Sequence, residues 1–445
     1  MSNMGAYRLP LELVAEVISH MWEDIRHELP TYATISLQWQ TIIEDRTFKH
    51  ITLSNNKRLD EFEKLTLQTP ERKRSVRRID VYVPLESCED KLLKYFGVLE
   101  AHQRDNGVFA LFMRTIFHSL CPLEDRRLLL RHRYEPKYLT LTKADAVLIS
   151  NVPAITKFRV YGGHEDGQLI LPATSILLAS KLLQLRELDL RLWDNEKLNL
   201  SSRRANRDEF ARSFELLPST IDCLDLKYYH HSPEYHRGYM PARLMNGNIE
   251  DLLSSTLRGF SHQLKELYLS NVVVGKELLC PPSLSANPHL PSWPKLTNIP
   301  VNYAITTPSG EWYFESQSTD GDNNTQEEFP AHEEQGDLPS DVLRASCKLM
   351  NELYVSAARA ALDMPRLKLM GLVADYNAVV HRFTYSVFSG TAEALWAAED
   401  RFTPEKRVIS AWNAIAMRHT DQELFWECEG GSRGKTTLPE ILTWA

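Results

Sequence analysis

Along the first fifty or so residues, apolar side chains return every three or four positions: Leu13, Val14, Val17, Ile18, Met21 and Ile25. That period lays one apolar stripe along a helix. Pro10 sits just inside the expected start, where its missing N–H costs nothing. Glu12 and Glu16 place negative charge in the early turns, which favours a helix N-terminus. Pro30 breaks the chain before a second short element, Thr31 to Ile35, and Ile35, Trp39, Ile42 and Ile43 then repeat the helical spacing. Three short amphipathic helices bury too little surface to be stable alone. Such a unit needs a partner, either the rest of its own chain or another protein.

Beyond it, Leu59, Phe62 and Leu65 predict a linking helix with Ser54 available as its cap. A different pattern then recurs, aliphatic-x-x-aliphatic-x-aliphatic. It stands at Val76/Ile79/Val81, Ile155/Phe158/Val160, Leu185/Leu188/Leu190 and Ile221/Leu224/Leu226, then at Leu264/Leu267/Leu269, Leu296/Ile299/Val301 and Leu367/Met370/Leu372. The last two positions of each triad alternate as a strand does, and the first falls in the preceding turn. A long gap between the first two triads predicts a hidden unit near Tyr138 to Leu141. Helices are expected between strands, at Phe109 to Leu120, Ile176 to Leu183 and Phe210 to Leu217. Glu315 to Asp341 differs in kind. It is rich in Asp and Glu, lacks Lys and Arg, and reads as a disordered acidic insertion. Asp341 to Leu362 predicts a further helix, and the runs Phe383 to Phe388 and Leu424 to Trp426 predict closing strands.

The N-terminal residues resemble an F-box, the helical module that docks a substrate receptor onto the adaptor of a cullin-type ubiquitin ligase. Leu9 and Pro10 match the family's opening pair. Leu13, Val17 and Ile18 match its first helix, and Trp39 with Ile42 match its third. The usual Val-Cys-Arg-like segment is replaced by Ile35-Ser36-Leu37-Gln38, and His20 to Tyr32 is unusually polar and aromatic. The repeated triad resembles the strand portion of a leucine-rich repeat, with most units about 30 to 43 residues apart where a regular repeat has 20–29.

Together these resemblances imply an α/β protein: a three-helix F-box module over residues 1–53, then an irregular leucine-rich-repeat-like solenoid over 54–445 with parallel strands and outer helices. Such divergent proteins abound in filamentous fungi. The resemblance implies a non-catalytic receptor without cofactors. Leu9, Pro10, Leu13, Val17, Ile18, Trp39 and Ile42 would meet or support the ligase adaptor. An unidentified protein substrate would meet the solvent-facing strand positions, Arg186, Glu187, Asp189 and Arg191 on one strand and Lys265, Glu266 and Tyr268 on another. Three other readings stay open: helices that merely cap the body of a non-ligase scaffold, one α/β domain without solenoid geometry, and an enzyme whose site forms only in three dimensions.

Composition narrows the classes. A formal charge of −8 on 445 residues argues against non-specific nucleic-acid binding. Six scattered cysteines, none in a Cys-x-x-Cys pair, read as small buried groups in a reducing compartment. No signal peptide or membrane-spanning run is visible, so a cytoplasmic or nuclear location is expected. Gly430-Gly431-Ser432-Arg433-Gly434-Lys435-Thr436 imitates a phosphate-binding loop but has Glu429 where the motif needs glycine. His230, His231 and His236 suggest an exposed turn more than a metal site, and Gly162-Gly163-His164 lacks the third glycine of a dinucleotide loop. The basic run Arg72-Lys73-Arg74 with Arg77-Arg78 reads as the solvated lead into a strand, or as a nuclear-localisation patch.

Overall fold

The computed structural model describes residues 10–24, 29–83, 98–121, 123, 126–131, 134–161, 167–194, 199–229, 241–245, 250–279, 293–316, 343–376, 379–398 and 402–430. The chain is a mixed α/β protein whose sheets are mostly parallel. It divides into two compact units, one of 1–193 with 215–221 and one of 194–214 with 222–445.

The first unit begins with α1 (Leu11–Asp24), α2 (Leu29–Tyr32), α3 (Leu37–Phe48) and β1 (His50–Leu53). Pro10 lies one residue before α1, where its carbonyl accepts the Val14 N–H at 3.1 Å. Pro30 belongs to the first turn of α2 and does not precede it. Next come α4 (Asn56–Phe62), α5 (Pro70–Ser75), β2 (Arg78–Tyr82), α6 (Val98–Leu120), β3 (Arg126–Arg131) and β4 (Tyr134–Leu139). They are followed by α7 (Lys143–Leu148), β5 (Ile155–Tyr161), β6 (Gly167–Ile170), α8 (Pro172–Ala179) and β7 (Glu187–Trp193). The cap of α4 is Asn55, whose side chain accepts the Arg58 N–H at 2.9 Å, and not Ser54.

Strands β1, β2, β3, β5 and β7 form one parallel sheet in that order. Its hidden member is β3, not Tyr138 to Leu141. Tyr138 and Leu139 are extended, but they pair with Leu169 and Ile170 of β6 in a separate two-stranded sheet. Helix α8 stops at Ala179, short of Leu183, because the chain turns there to let the Lys181 carbonyl accept the Val152 N–H at 2.7 Å. Phe109, Phe112, Met113, Ile116 and Phe117 of α6 are all buried, as the predicted stripe requires.

The second unit opens with α9 (Leu200–Ser213) and continues with β8 (Cys223–Tyr229), α10 (Leu252–Ser261), β9 (Glu266–Val272) and β10 (Asn298–Tyr303). Then come β11 (Phe314–Ser316), β12 (Leu343–Ala345), α11 (Cys347–Ala361) and β13 (Leu369–Tyr376). The unit ends with β14 (Val379–Phe388), β15 (Thr391–Ala398), α12 (Lys406–Thr420) and β16 (Phe425–Gly430). Strands β8, β9, β10 and β13 are parallel, β13 to β15 run antiparallel, and β16 returns parallel to β15. The first residues of the expected acidic insertion, Glu315–Ser316, pair antiparallel with Leu343–Arg344, just past its far end; residues 317–342 lie outside the described residues. Every one of the seven triads supplies a strand, and its leading residue is buried, in the turn before the strand in six of them and as the first residue of β5 in the case of Ile155.

One buried ion pair ties the second unit together. Arg207 of α9 makes two hydrogen bonds to Asp251, at 3.1 and 2.7 Å, and a third to the Val273 carbonyl at 2.6 Å. Asp251 also caps α10 through the Ser254 N–H at 2.9 Å. Burial pushes the Asp251 carboxyl upward, but the Arg207 guanidinium and the Ser254 donors outweigh it and hold the group below the usual carboxylate range. A carboxyl depressed on folding stabilises above its unfolded value, near 3.9, and loses that contribution as pH falls through the folded one. Arg207→Met should cost about 3–5 kcal/mol in urea denaturation at pH 7, since it leaves a buried charge unpaired. Arg207→Met with Asp251→Leu should cost less at pH 7, and its loss of stability in acid should be shallower than the wild type's.

Candidate interaction surfaces

The three N-terminal helices pack on themselves. Val14 and Ile18 of α1, Leu29 of α2 and Ile43 of α3 form one buried cluster, with Tyr32, Ala33, Trp39 and Ile42 packed against it. Tyr32 stacks on Trp39 with ring centroids 6.2 Å apart. Ser36 caps α3, its hydroxyl accepting the Trp39 N–H at 3.4 Å, and the Arg46 guanidinium donates to the Ala15 carbonyl at 3.3 Å. Ile18 is therefore core (0 % exposed) and no contact surface, while Trp39 and Ile42 are half-buried supports. Leu13 and Val17 face outward, 47 % and 40 % exposed one helical turn apart. Pro10 is exposed beside them in sequence, and Leu9 and Ile25 lie outside the described residues. The turn into α3 adds two more exposed aliphatics, Ile35 and Leu37.

Helix α3 anchors this cluster to the sheet. Arg72 of α5 makes two hydrogen bonds to Glu44, at 3.0 and 2.8 Å, a third to the Leu65 carbonyl at 3.1 Å, and lies over the Phe48 ring at 5.0 Å. Arg72 here and Arg78 on the sheet thus both engage carboxylates within the fold. The Arg72 hydrogen bond holds the Glu44 carboxyl below its ordinary range despite some burial. Arg72→Leu should loosen this anchor by about 1.5–3 kcal/mol at pH 7. In the wild type the same contribution should fade as pH drops through the depressed Glu44 value. Hydrogen exchange along α3 measures both.

The polar face of the first sheet is built by register. Ile79, Leu128, Phe158 and Leu188 align as one buried row. The intervening rows carry His50, Arg78, Lys157 and Glu187, then Asp80, Arg159 and Asp189, then Tyr82, Tyr161 and Arg191. Asp80 is buried between Arg78, at 2.7 and 3.1 Å, and the His50 Nε2 at 2.8 Å. Asp189, also buried, takes Arg159 on one side and Arg191 at 3.6 Å on the other. The Tyr161 ring sits under both guanidiniums, 4.5 Å from Arg191 and 5.8 Å from Arg159. Lys157 pairs with Glu187.

Of the residues expected to meet a substrate, Arg186 and Glu187 are exposed at the lead of β7, Arg191 is half-buried, and Asp189 serves as a buried counter-ion. Lys265, Glu266 and Tyr268 belong to the second unit. Lys265 pairs with Asp222 at 3.1 Å, and Glu266 accepts from the Tyr268 hydroxyl at 3.1 Å and from the Asn298 amide at 3.4 Å. Burial, with Glu266 nearby, pushes the Tyr268 phenol up to about 12. Sequence reasoning did not single out Asp80, Lys157, Arg159 and Tyr161; it read Arg78 only as part of the basic run and gave His50 no place on this face. All stand between or beside the aliphatic positions of a strand, which was the available signal.

Among the described residues no group of three His, Cys, Asp or Glu side chains could hold a metal, and no helix is long and apolar enough to cross a membrane. His230, His231 and His236, Gly162 to His164 and Gly431 to Thr436 lie outside the described residues. Residues 337–438 match a family of unknown function, DUF6546. That stretch includes α11, β13 to β16 and α12, and with them the buried aromatic group of Tyr354, Phe383, Trp396 and Trp412. No curated protein and no solved structure matches the chain.

Proposed function

We propose that this chain is the substrate-recognition subunit of a cullin-type, SCF-like ubiquitin ligase. Its N-terminal helices act as an F-box-like module that joins the ligase adaptor. The strands behind them act as an irregular leucine-rich-repeat-like body that holds a protein substrate. Bringing the two together makes ubiquitin transfer effectively intramolecular, through raised local concentration.

One observation carries this reading. On α1, Val14 and Ile18 fill a core drawn entirely from residues before 54, while Leu13 and Val17 remain exposed on its outer side. Exposed aliphatics paired one turn apart on a helix whose opposite face is packed are what a foreign apolar groove would take up. The rival reading, helices that only cap the body of a scaffold, accounts for α3, where Glu44, Phe48 and Arg72 make the capping contact. It gives no role to Leu13 and Val17.

Leu13→Asp with Val17→Asp should abolish co-purification of the ligase adaptor from cells. Both sites are already solvated, so melting should change little, within about 0.5 kcal/mol per substitution. Ile18→Asp should instead unfold the helical cluster, separating a packing defect from a docking defect. Adaptor recovery undiminished in the Leu13/Val17 double variant would remove the docking assignment.

A further inference from the structure

Among the described residues the polar face of the first sheet sets four cations, Arg78, Lys157, Arg159 and Arg191, against three carboxylates, Asp80, Glu187 and Asp189, in a chain whose formal net charge is −8. Arg78, Lys157, Arg159 and Arg191 stand in adjacent register rows. The set is preorganised. Tyr161 supports two guanidiniums from below, and Asp189 orients both from within the sheet. One carboxylate between two guanidiniums leaves one net positive charge. Arginine stacked on an aromatic ring and paired with a carboxylate still presents N–H donors as a fork for an oxyanion.

We propose that this face binds an oxyanion-bearing segment of the protein substrate, a run of carboxylate or phosphate side chains in extended conformation, with Arg159 and Arg191 as its centre. The proposal rests on the receptor reading above and specifies its substrate class. Five strands at about 4.8 Å spacing span roughly 19 Å, which an extended peptide crosses with about six residues. The favoured partner is a short acidic peptide and not a nucleic acid. A long polyanion would feel the overall negative field of the chain, whereas a short segment is read by the local one.

Fluorescence anisotropy with the full chain tests this without any ligase component. The probes are a labelled Glu/Asp-rich peptide, the same backbone with phosphoserines, a Lys-rich counterpart, and a single-stranded RNA of matched charge. The wild type should bind one or both anionic peptides more tightly than the RNA and should not bind the Lys-rich peptide. Preference between the two anionic peptides tells carboxylate from phosphate recognition. Lys157→Gln with Arg191→Gln should weaken binding about tenfold or more, about 1.4 kcal/mol, with melting unchanged. Arg191→Lys keeps the charge beside Asp189 but not the fork, and it should retain folding while losing part of the affinity.

Leu13→Asp with Val17→Asp should leave peptide binding intact, so failure of adaptor docking and failure of this site are told apart. Equal affinity of wild type and the Lys157/Arg191 variant overturns the proposal, as does tighter binding of RNA. A salt-sensitive dimer in sedimentation that the Lys157/Arg191 variant abolishes also overturns it, because a second copy would then cover the face.

Discussion

Five parallel strands, β2, β7, β9, β10 and β13, are entered through the same backbone hydrogen bond, made to the neighbouring strand or the residue leading into it. The Arg78 N–H reaches the Lys49 carbonyl at 2.9 Å, and the Arg186 N–H reaches Thr156 at 2.8 Å. In the second unit Lys265 donates to Asp222 at 2.7 Å, Thr297 to Lys265 at 2.8 Å and Lys368 to Thr297 at 2.8 Å. These bonds set the register before the strand proper begins, and register decides which side chains face the helices. A slip of one residue would turn every aliphatic pair outward and every charged pair inward. The buried leading residue of each triad, such as Val76, Leu185, Leu264 or Leu367, fixes the turn that makes the bond.

That constraint explains what could be read from sequence. A triad such as Leu264/Leu267/Leu269 encodes both the turn residue and the inward alternation, so its strand is legible from local spacing alone. Strand β3 escaped because Leu128, Leu129 and Leu130 run consecutively between arginines, and an unbroken apolar run shows no period. Strand β1 escaped because His50 to Leu53 follows α3 with a single residue between them, and its four residues are too few to announce themselves. The reversal between β14 and β15 did have a signal. Ser389 and Gly390 take φ values of 51° and 81°, the two-residue turn that Ser-Gly between alternating runs encodes. The burial of Asp189 had none. Alternation puts it on the polar face, and its partners are Arg159, thirty positions earlier on β5, and Arg191 on its own strand.

The same ambiguity governs α1. A stripe at spacings of three and four predicts a helix with one apolar side, but it cannot say which members are inside. Leu13, Val14, Val17 and Ile18 look equivalent in sequence. Cross-helix contacts with Leu29 and Ile43 separate them, leaving Val14 and Ile18 within the cluster and Leu13 and Val17 outside it. The stripe was wider than its own module needs.

In-register parallel strands create an electrostatic difficulty that the polar face must resolve. Equivalent positions on adjacent strands lie about 4.8 Å apart, so a recurrent cation would repel its neighbour along the whole row. Here the repulsion is broken by carboxylates interleaved among the cations. Asp80 takes Arg78 and His50, Asp189 takes Arg159 and Arg191, and Glu187 takes Lys157. Because Asp80 and Asp189 are buried while their partners are partly solvated, each of these two carboxylates is compensated locally and leaves cationic groups at the surface, whereas Glu187 is itself exposed beside Lys157. An anion reaching this face therefore meets guanidiniums already oriented, with the desolvation of their counter-ions settled during folding. That is the physical basis on which a sheet in an acidic chain can favour an acidic ligand.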